Sequence, residues 1–294
     1  MKRGIVMMFL ALMGSIVFVS ALTLTVTSPA NAGIFNKSTI DYVLTSDEVS
    51  DFYIFKNRLR SNRAVKLCND VTSCNASIRA REGSNNVTLK IINVGGMVKE
   101  EDRDFIVDTR VPRIMRTRPR DGKYMNNDDN FSIMYTESNL KKITLFFGND
   151  STFKTSCESG KRKICDFNQD LSLFDDQTIK YWFDVEDVAG NKENSSVREV
   201  MVDTTKPNIT GMNYTIDRRK VKFAFDIEEK NFDKIIIKDH NDRRPRWRRL
   251  CSKLIVGKCT ASKRFRSGEH LIDVKALDKA GNEADIYVKE AFSV

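Results

Sequence analysis

The chain resembles itself at a period of about 90 residues, and that limits it to a small set of folds. Val202-Asp203-Thr204-Thr205-Lys206-Pro207 repeats Val107-Asp108-Thr109-Arg110-Val111-Pro112 at a spacing of 95. Asp187-Val188-Ala189-Gly190-Asn191 returns 91 residues later as Asp278-Lys279-Ala280-Gly281-Asn282. A degenerate copy, Asn93-Val94-Gly95-Gly96-Met97, stands 94 residues before the first of these. Such a period is too long for a solenoid and fits tandem domains. The cysteines keep the same register, as Cys68 with Cys74, Cys157 with Cys165 and Cys251 with Cys259. One pair per repeat makes bridging within each repeat the simple choice, across a hairpin between neighbouring strands. Each bridge then contributes about 2–3 kcal/mol by closing a short loop. A zinc site is the rival reading, but no repeat has a second Cys or His pair nearby to complete four ligands, so no metal is expected.

Alternation supplies the secondary structure. Tyr181, Phe183 and Val185 alternate with charged or amphipathic neighbours, the period-2 pattern of a half-buried strand. Val87, Leu89 and Ile91, and again Ile272, Val274 and Ala276, occupy the same positions before the same landmark. Further strand-like runs cover 131–135, 143–147, 221–225 and 235–237, separated by Asn, Asp, Gly and Ser clusters. No segment carries a capped 3.6-residue stripe. About seven short strands per repeat predict a two-sheet antiparallel sandwich.

With these residues in view, the chain resembles tandem immunoglobulin-like modules of prokaryotic surface proteins. In those modules a strand ending in D-x-A-G-N is followed by V-D-T-T-x-P at the boundary. The second repeat carries the likeness best, through Asp187, Ala189, Gly190, Asn191, Val202, Asp203, Thr204, Thr205 and Pro207. The first repeat departs from it at 93–97 and lacks room for a full leading strand after residue 32. The resemblance implies an all-β chain of immunoglobulin-like or fibronectin-III-like sandwiches over 33–112, 113–207 and 208–294. It implies stalk, adhesion or accessory roles and no catalytic residues. Turn chemistry gives the motif a physical reason, because Gly190 and Gly281 tolerate positive φ where strands reverse and Asp caps the turn. Pro112 and Pro207 stiffen the junctions. An interdomain calcium ion held by Asp187, Asn191 and Asp203 is the alternative.

Residues 1–32 read as an N-terminal signal peptide or anchor helix. Lys2 and Arg3 precede an apolar run from Ile5 to Val26, which ends at Ala30-Asn31-Ala32. The run is long for a signal, so a retained membrane anchor competes with cleavage after Ala32. Either way, residues 33–294 are expected outside the cell or at its surface, where disulfides persist. Glycosylation sequons occur at Asn36, Asn75, Asn86, Asn130, Asn149, Asn194, Asn208 and Asn213. About three would arise by chance in a chain of this composition, which suggests a glycosylated exterior.

Charge is divided unevenly. The whole chain holds 49 Lys plus Arg against 40 Asp plus Glu, and by direct count 208–294 hold 20 of the former and 13 of the latter. The third module therefore carries the excess of the exported part. Arg243, Arg244, Arg246, Trp247, Arg248, Arg249, Lys263, Arg264 and Arg266 are the candidate anion-binding residues, with Lys253 and Lys258 in the same stretch. The framing cysteines place this stretch on a disulfide-stapled hairpin. Arginines beside aromatics suit an acidic glycan, a cell-envelope polymer or lipid headgroups. The competing reading is a solvated face that keeps an exported sandwich soluble. Nucleic acid ranks last, since export separates the two and no recognition helix is visible. Nucleophile motifs, phosphate loops and dinucleotide fingerprints are absent, so neither catalysis nor a cofactor is expected. A purely structural envelope spacer and an accessory subunit of a surface enzyme complex remain as alternatives to the adhesin.

Overall fold

A computed structural model describes residues 21–56, 64–284 and 289–294. The chain divides into two compact units, Met1–Thr109 and Arg110–Val294.

The first unit holds β1 (Leu24–Ser28), β2 (Gly33–Phe35), β3 (Thr39–Lys56), β4 (Ala64–Arg79), β5 (Gly83–Asn93) and β6 (Val98–Val107). β3 pairs with β1 through its first half and with β5 through its second, and β4 follows it on the other side. Both long strands therefore pass from one layer to the other, and the layers form one continuous sheet with irregular register between Thr45 and Ser50. β2 closes the far margin by pairing in parallel with β6.

The structure corrects the expected boundary after residue 32. Leu22 and Leu24 are buried in the core of the first unit, Thr23 and Thr25 are exposed, and β1 is ladder-bonded to β3. Residues 22–27 alternate apolar and Thr, so the end of the apolar run is a half-buried strand. It supplies the leading strand that the first module otherwise lacks. Residues 1–20 of the expected signal or anchor segment lie outside the described residues. Among the described residues no helix is long and apolar enough to cross a membrane.

The second unit contains two sandwiches. In the first of them, β7 (Arg113–Arg118), β9 (Asn130–Glu137) and β12 (Gly160–Asn168) form one sheet. Facing it are β8 (Lys123–Met125), β10 (Leu140–Phe147), β11 (Asp150–Lys154), β13 (Thr178–Asp187), β14 (Lys192–Asn194) and β15 (Arg198–Val202). In the second sandwich, β16 (Asn208–Asp217), β17 (Lys220–Glu228) and β20 (Lys258–Arg264) face β18 (Phe232–Asp239), β19 (Arg248–Cys251), β21 (Glu269–Asp278) and β22 (Lys289–Ser293). Three strands packed on four in this order is the fibronectin-III-type arrangement. All nine alternating positions singled out from sequence, from Val87 to Ala276, are buried in their respective cores.

All three cysteine pairs are disulfides, with Cα–Cα distances of 5.8, 5.7 and 6.3 Å. None staples a hairpin of paired neighbours, and the reason is topological. Cys251 lies on β19 and Cys259 on β20, which belong to opposite sheets. Cys157 and Cys165 likewise span the crossing from β11 to β12. In the first unit both cysteines lie on β4, around its bend. Each bridge therefore ties the chain where it leaves one layer for the other.

Candidate anion-binding face

Strand register fixes which loops of the third module share an end. Asp217 pairs with Lys220, Lys220 with Arg264, Ile237 with Arg248 and Asp239 with Ile272. The turn at 217–220, the loop 240–247 and the loop 265–268 therefore converge. Hydrogen bonds tie them together: Phe265 N–H donates to the Arg219 carbonyl at 2.8 Å, and His240 N–H to the Leu271 carbonyl at 2.8 Å. Buried His270 lies between the Asp239 carboxylate, 2.7 Å from Nδ1, and the Arg266 carbonyl, 2.8 Å from Nε2. Its ring packs against Phe265 and Phe292 at centroid distances of 4.9 and 5.7 Å. Three loops from two sheets thus stand on one hydrogen-bonded and aromatic base.

Arg243, Arg244, Arg246, Arg248, Arg264 and Arg266 are exposed on this end. Arg248 pairs with Asp242 at 2.9 Å, and Lys275 lies 5.4 Å from the Trp247 ring centroid. Lys263 covers Phe265 at 5.6 Å. Partial burial holds the Lys263 ammonium below the usual lysine range, and nearby Arg248 pushes it the same way, while Asp242 and Asp239 oppose both. Crowded, partly desolvated cations of this kind gain from an added anion.

The placement differs from a stapled hairpin in two respects. β19 and β20 are not paired, so the basic residues lie on a loop-built end rather than along one edge. Lys253 and Lys258 are at the opposite end, where Lys258 pairs with Asp226 at 2.5 Å. Arg218 and Arg219, both exposed, join the face from the β16–β17 turn. Sequence distance alone gives no reason to include them; the register of β17 with β20 does.

The other end of this module meets the preceding one. Asp278 accepts Asn282 N–H at 2.9 Å and Asn282 Nδ2 at 2.7 Å, with Gly281 at φ 90°. Asp187 holds Asn191 identically, at 2.8 and 2.7 Å, with Gly190 at φ 86°. Asn282 Nδ2 then reaches the linker carbonyls of Asp203 and Thr205, at 2.8 and 3.3 Å. Asn191 Nδ2 reaches the Arg110 carbonyl at 3.3 Å, the position equivalent to Thr205. The two sequence motifs are thus halves of one clamp, in which the turn of a module grips the linker that enters it.

This geometry corrects the proposed calcium set. Thr178 lies opposite Met201, so Asp203 follows one end of β13 while Asp187 and Asn191 lie at the other. Asp203 instead accepts Asn231 Nδ2 at 2.9 Å. Burial raises its carboxyl above the usual range, with Asp278 and Asp175 adding to the effect. Glu229 is raised for the same reason, burial first and then Asp203, Asp278 and Asp176.

No family model matches the chain, and no curated protein matches it. Among solved structures, the chicken CNTN1 FN1–FN3 domains align over 93% of this chain and 97% of theirs, at 10% identity and a TM-score of 0.44. The ICAM-5 D1–D4 ectodomain fragment aligns over 93% and 77%, at 9% identity and a TM-score of 0.41. Fibronectin(III)-like modules of Clostridium thermocellum CbhA align over 62% and 94%, at 14% identity and a TM-score of 0.37.

Proposed function

We propose that this chain is a non-catalytic, exported surface protein whose third module binds a polyanion through its loop end. The observation that carries this reading is the convergence of arginines from three separate loops, with a part-buried Lys263 among them. A face kept only for solubility has no need to gather its charge on one hydrogen-bonded base. Guanidinium groups on short loops suit the sulfate, carboxylate or phosphate groups of an acidic glycan or envelope polymer, or of lipid headgroups. The disulfides in all three modules favour an oxidising, extracellular location. A glycosylated exterior is favoured by the placement of the sequons, since all eight acceptor asparagines are exposed.

A spacer role is the second reading, and the linker clamp of Asn282 favours it, because it restricts hinge motion between the second and third modules. The two separate in one experiment. Full-length protein and an Arg243→Ser, Arg244→Ser, Arg246→Ser variant are titrated against acidic polysaccharides, anionic vesicles and DNA. Selective binding to one class, lost in the variant and weakened by salt, supports the adhesin. Equal behaviour of the two proteins with every ligand supports the spacer.

A further inference from the structure

The outward face of the larger sheet in the middle module carries aromatic residues that its core does not use. Phe146 and Trp182 lie opposite one another on β10 and β13, while Phe147 and Phe183 point inward. Their rings stack at 4.8 Å with planes 7° apart. Phe153, 64% exposed, lies opposite Thr144 on the neighbouring β11. At the other margin, exposed Asn194 lies directly opposite Asp184. Opposite residues of an antiparallel pair share a face, and Asp184 and Trp182 are two apart on one strand. Asn194 is therefore the diagonal neighbour of Trp182, at a separation of about 7–8 Å. It is also the acceptor of the sequon Asn194-Ser195-Ser196.

We propose that the oligosaccharide on Asn194 folds back over this face, with its first sugar ring stacked on the Trp182–Phe146 pair. The proposal rests on the glycosylated reading of the chain. A pyranose presents one face made largely of C–H bonds, and an aromatic surface is its natural partner because water leaves both. The row Asn194, Asp184, Thr144, Phe153 crosses three strand spacings, about 14 Å, close to the length of a trisaccharide. Asp184 and Thr144 supply hydrogen-bonding groups to sugar hydroxyls between Asn194 and Phe153. Covalent attachment gives the glycan a local concentration on the order of millimolar, so even weak stacking is populated ahead of contact with another chain. The occupied face no longer offers a flat aromatic surface for association, which an exported protein gains from covering.

The test uses the full chain made in a host that glycosylates sequons, in a Trp247→Phe background so that Trp182 is the remaining tryptophan of the two. Ser196→Ala removes the acceptor signal and leaves Asn194 in place. Glycopeptide mass spectrometry reads occupancy, and acrylamide quenching reads access to Trp182. The expected result is an occupied Asn194 and a quenching constant about twofold lower than in Ser196→Ala, the ring face being covered. Occupancy with equal quenching overturns the stacking and leaves glycosylation standing. A bare Asn194 beside occupied sequons elsewhere overturns the proposal at its covalent step. Bare asparagines at all eight sites overturn the glycosylated reading and this proposal together.

Discussion

Replacing Asn282 by Ala tests the linker clamp at its strongest point. The side chain donates to the carbonyls of Asp203 and Thr205 and to the Asp278 carboxylate. Asp203 and Asp278 are 3% and 2% exposed while Thr205 is exposed, so water replaces the lost donor at Thr205 but not readily at the two buried residues. Each buried group left unpartnered costs about 1–3 kcal/mol, and Asp278 retains the Asn282 backbone N–H, so the variant loses about 2–4 kcal/mol. For a cooperative unit of this size that lowers the melting temperature by roughly 5–15 °C. Calorimetry of the full chain reads the shift, and amide exchange reads whether residues 203–206 lose protection. A melting temperature within about 1 °C of wild type, with unchanged exchange in the linker, would refute the clamp.

Two further predictions concern pH. Glu186 is pulled down to about 2, chiefly by its hydrogen bond from Lys141 and then by Lys192. A depressed carboxylate stabilises the fold above its unfolded pKa and loses that contribution as pH falls from about 4.5 toward 2. Glu186→Gln should therefore lower the melting temperature at pH 7 and flatten its decline across that window. Asp203 has the opposite sign. Its raised carboxyl favours the fold below the unfolded pKa and opposes it once ionised, so Asp203→Asn should raise the melting temperature at pH 7 and change it little near pH 3.

Much of the fold is legible in the sequence because the information is local. Period-2 alternation before Asp187 and Asp278 locates β13 and β21, and their inward residues are buried as the pattern requires. The cysteine register locates the bridges. Long-range geometry is less legible. An apolar run beginning near the N-terminus reads as a signal, and the alternation of Leu22 to Thr27 inside it is masked by the longer run. The C-x7-C spacing fits a hairpin and a layer crossing equally well, because either brings the two Cα atoms within bridging distance. Asp187 and Asp203 are close in sequence but lie at opposite ends of a sandwich. Arg218 and Arg219 join the candidate face only through strand pairing with residues more than forty positions away.

That last point yields the most direct test of the proposed function. Affinity for the best-binding polyanion is measured across a salt series for wild type and for an Arg218→Ser, Arg219→Ser variant, which leaves the loops at 240–247 and 265–268 intact. If three loops form one binding face, the variant loses affinity, and the slope of log K against log salt falls by about two released counterions. Wild-type affinity and an unchanged slope would contradict the account.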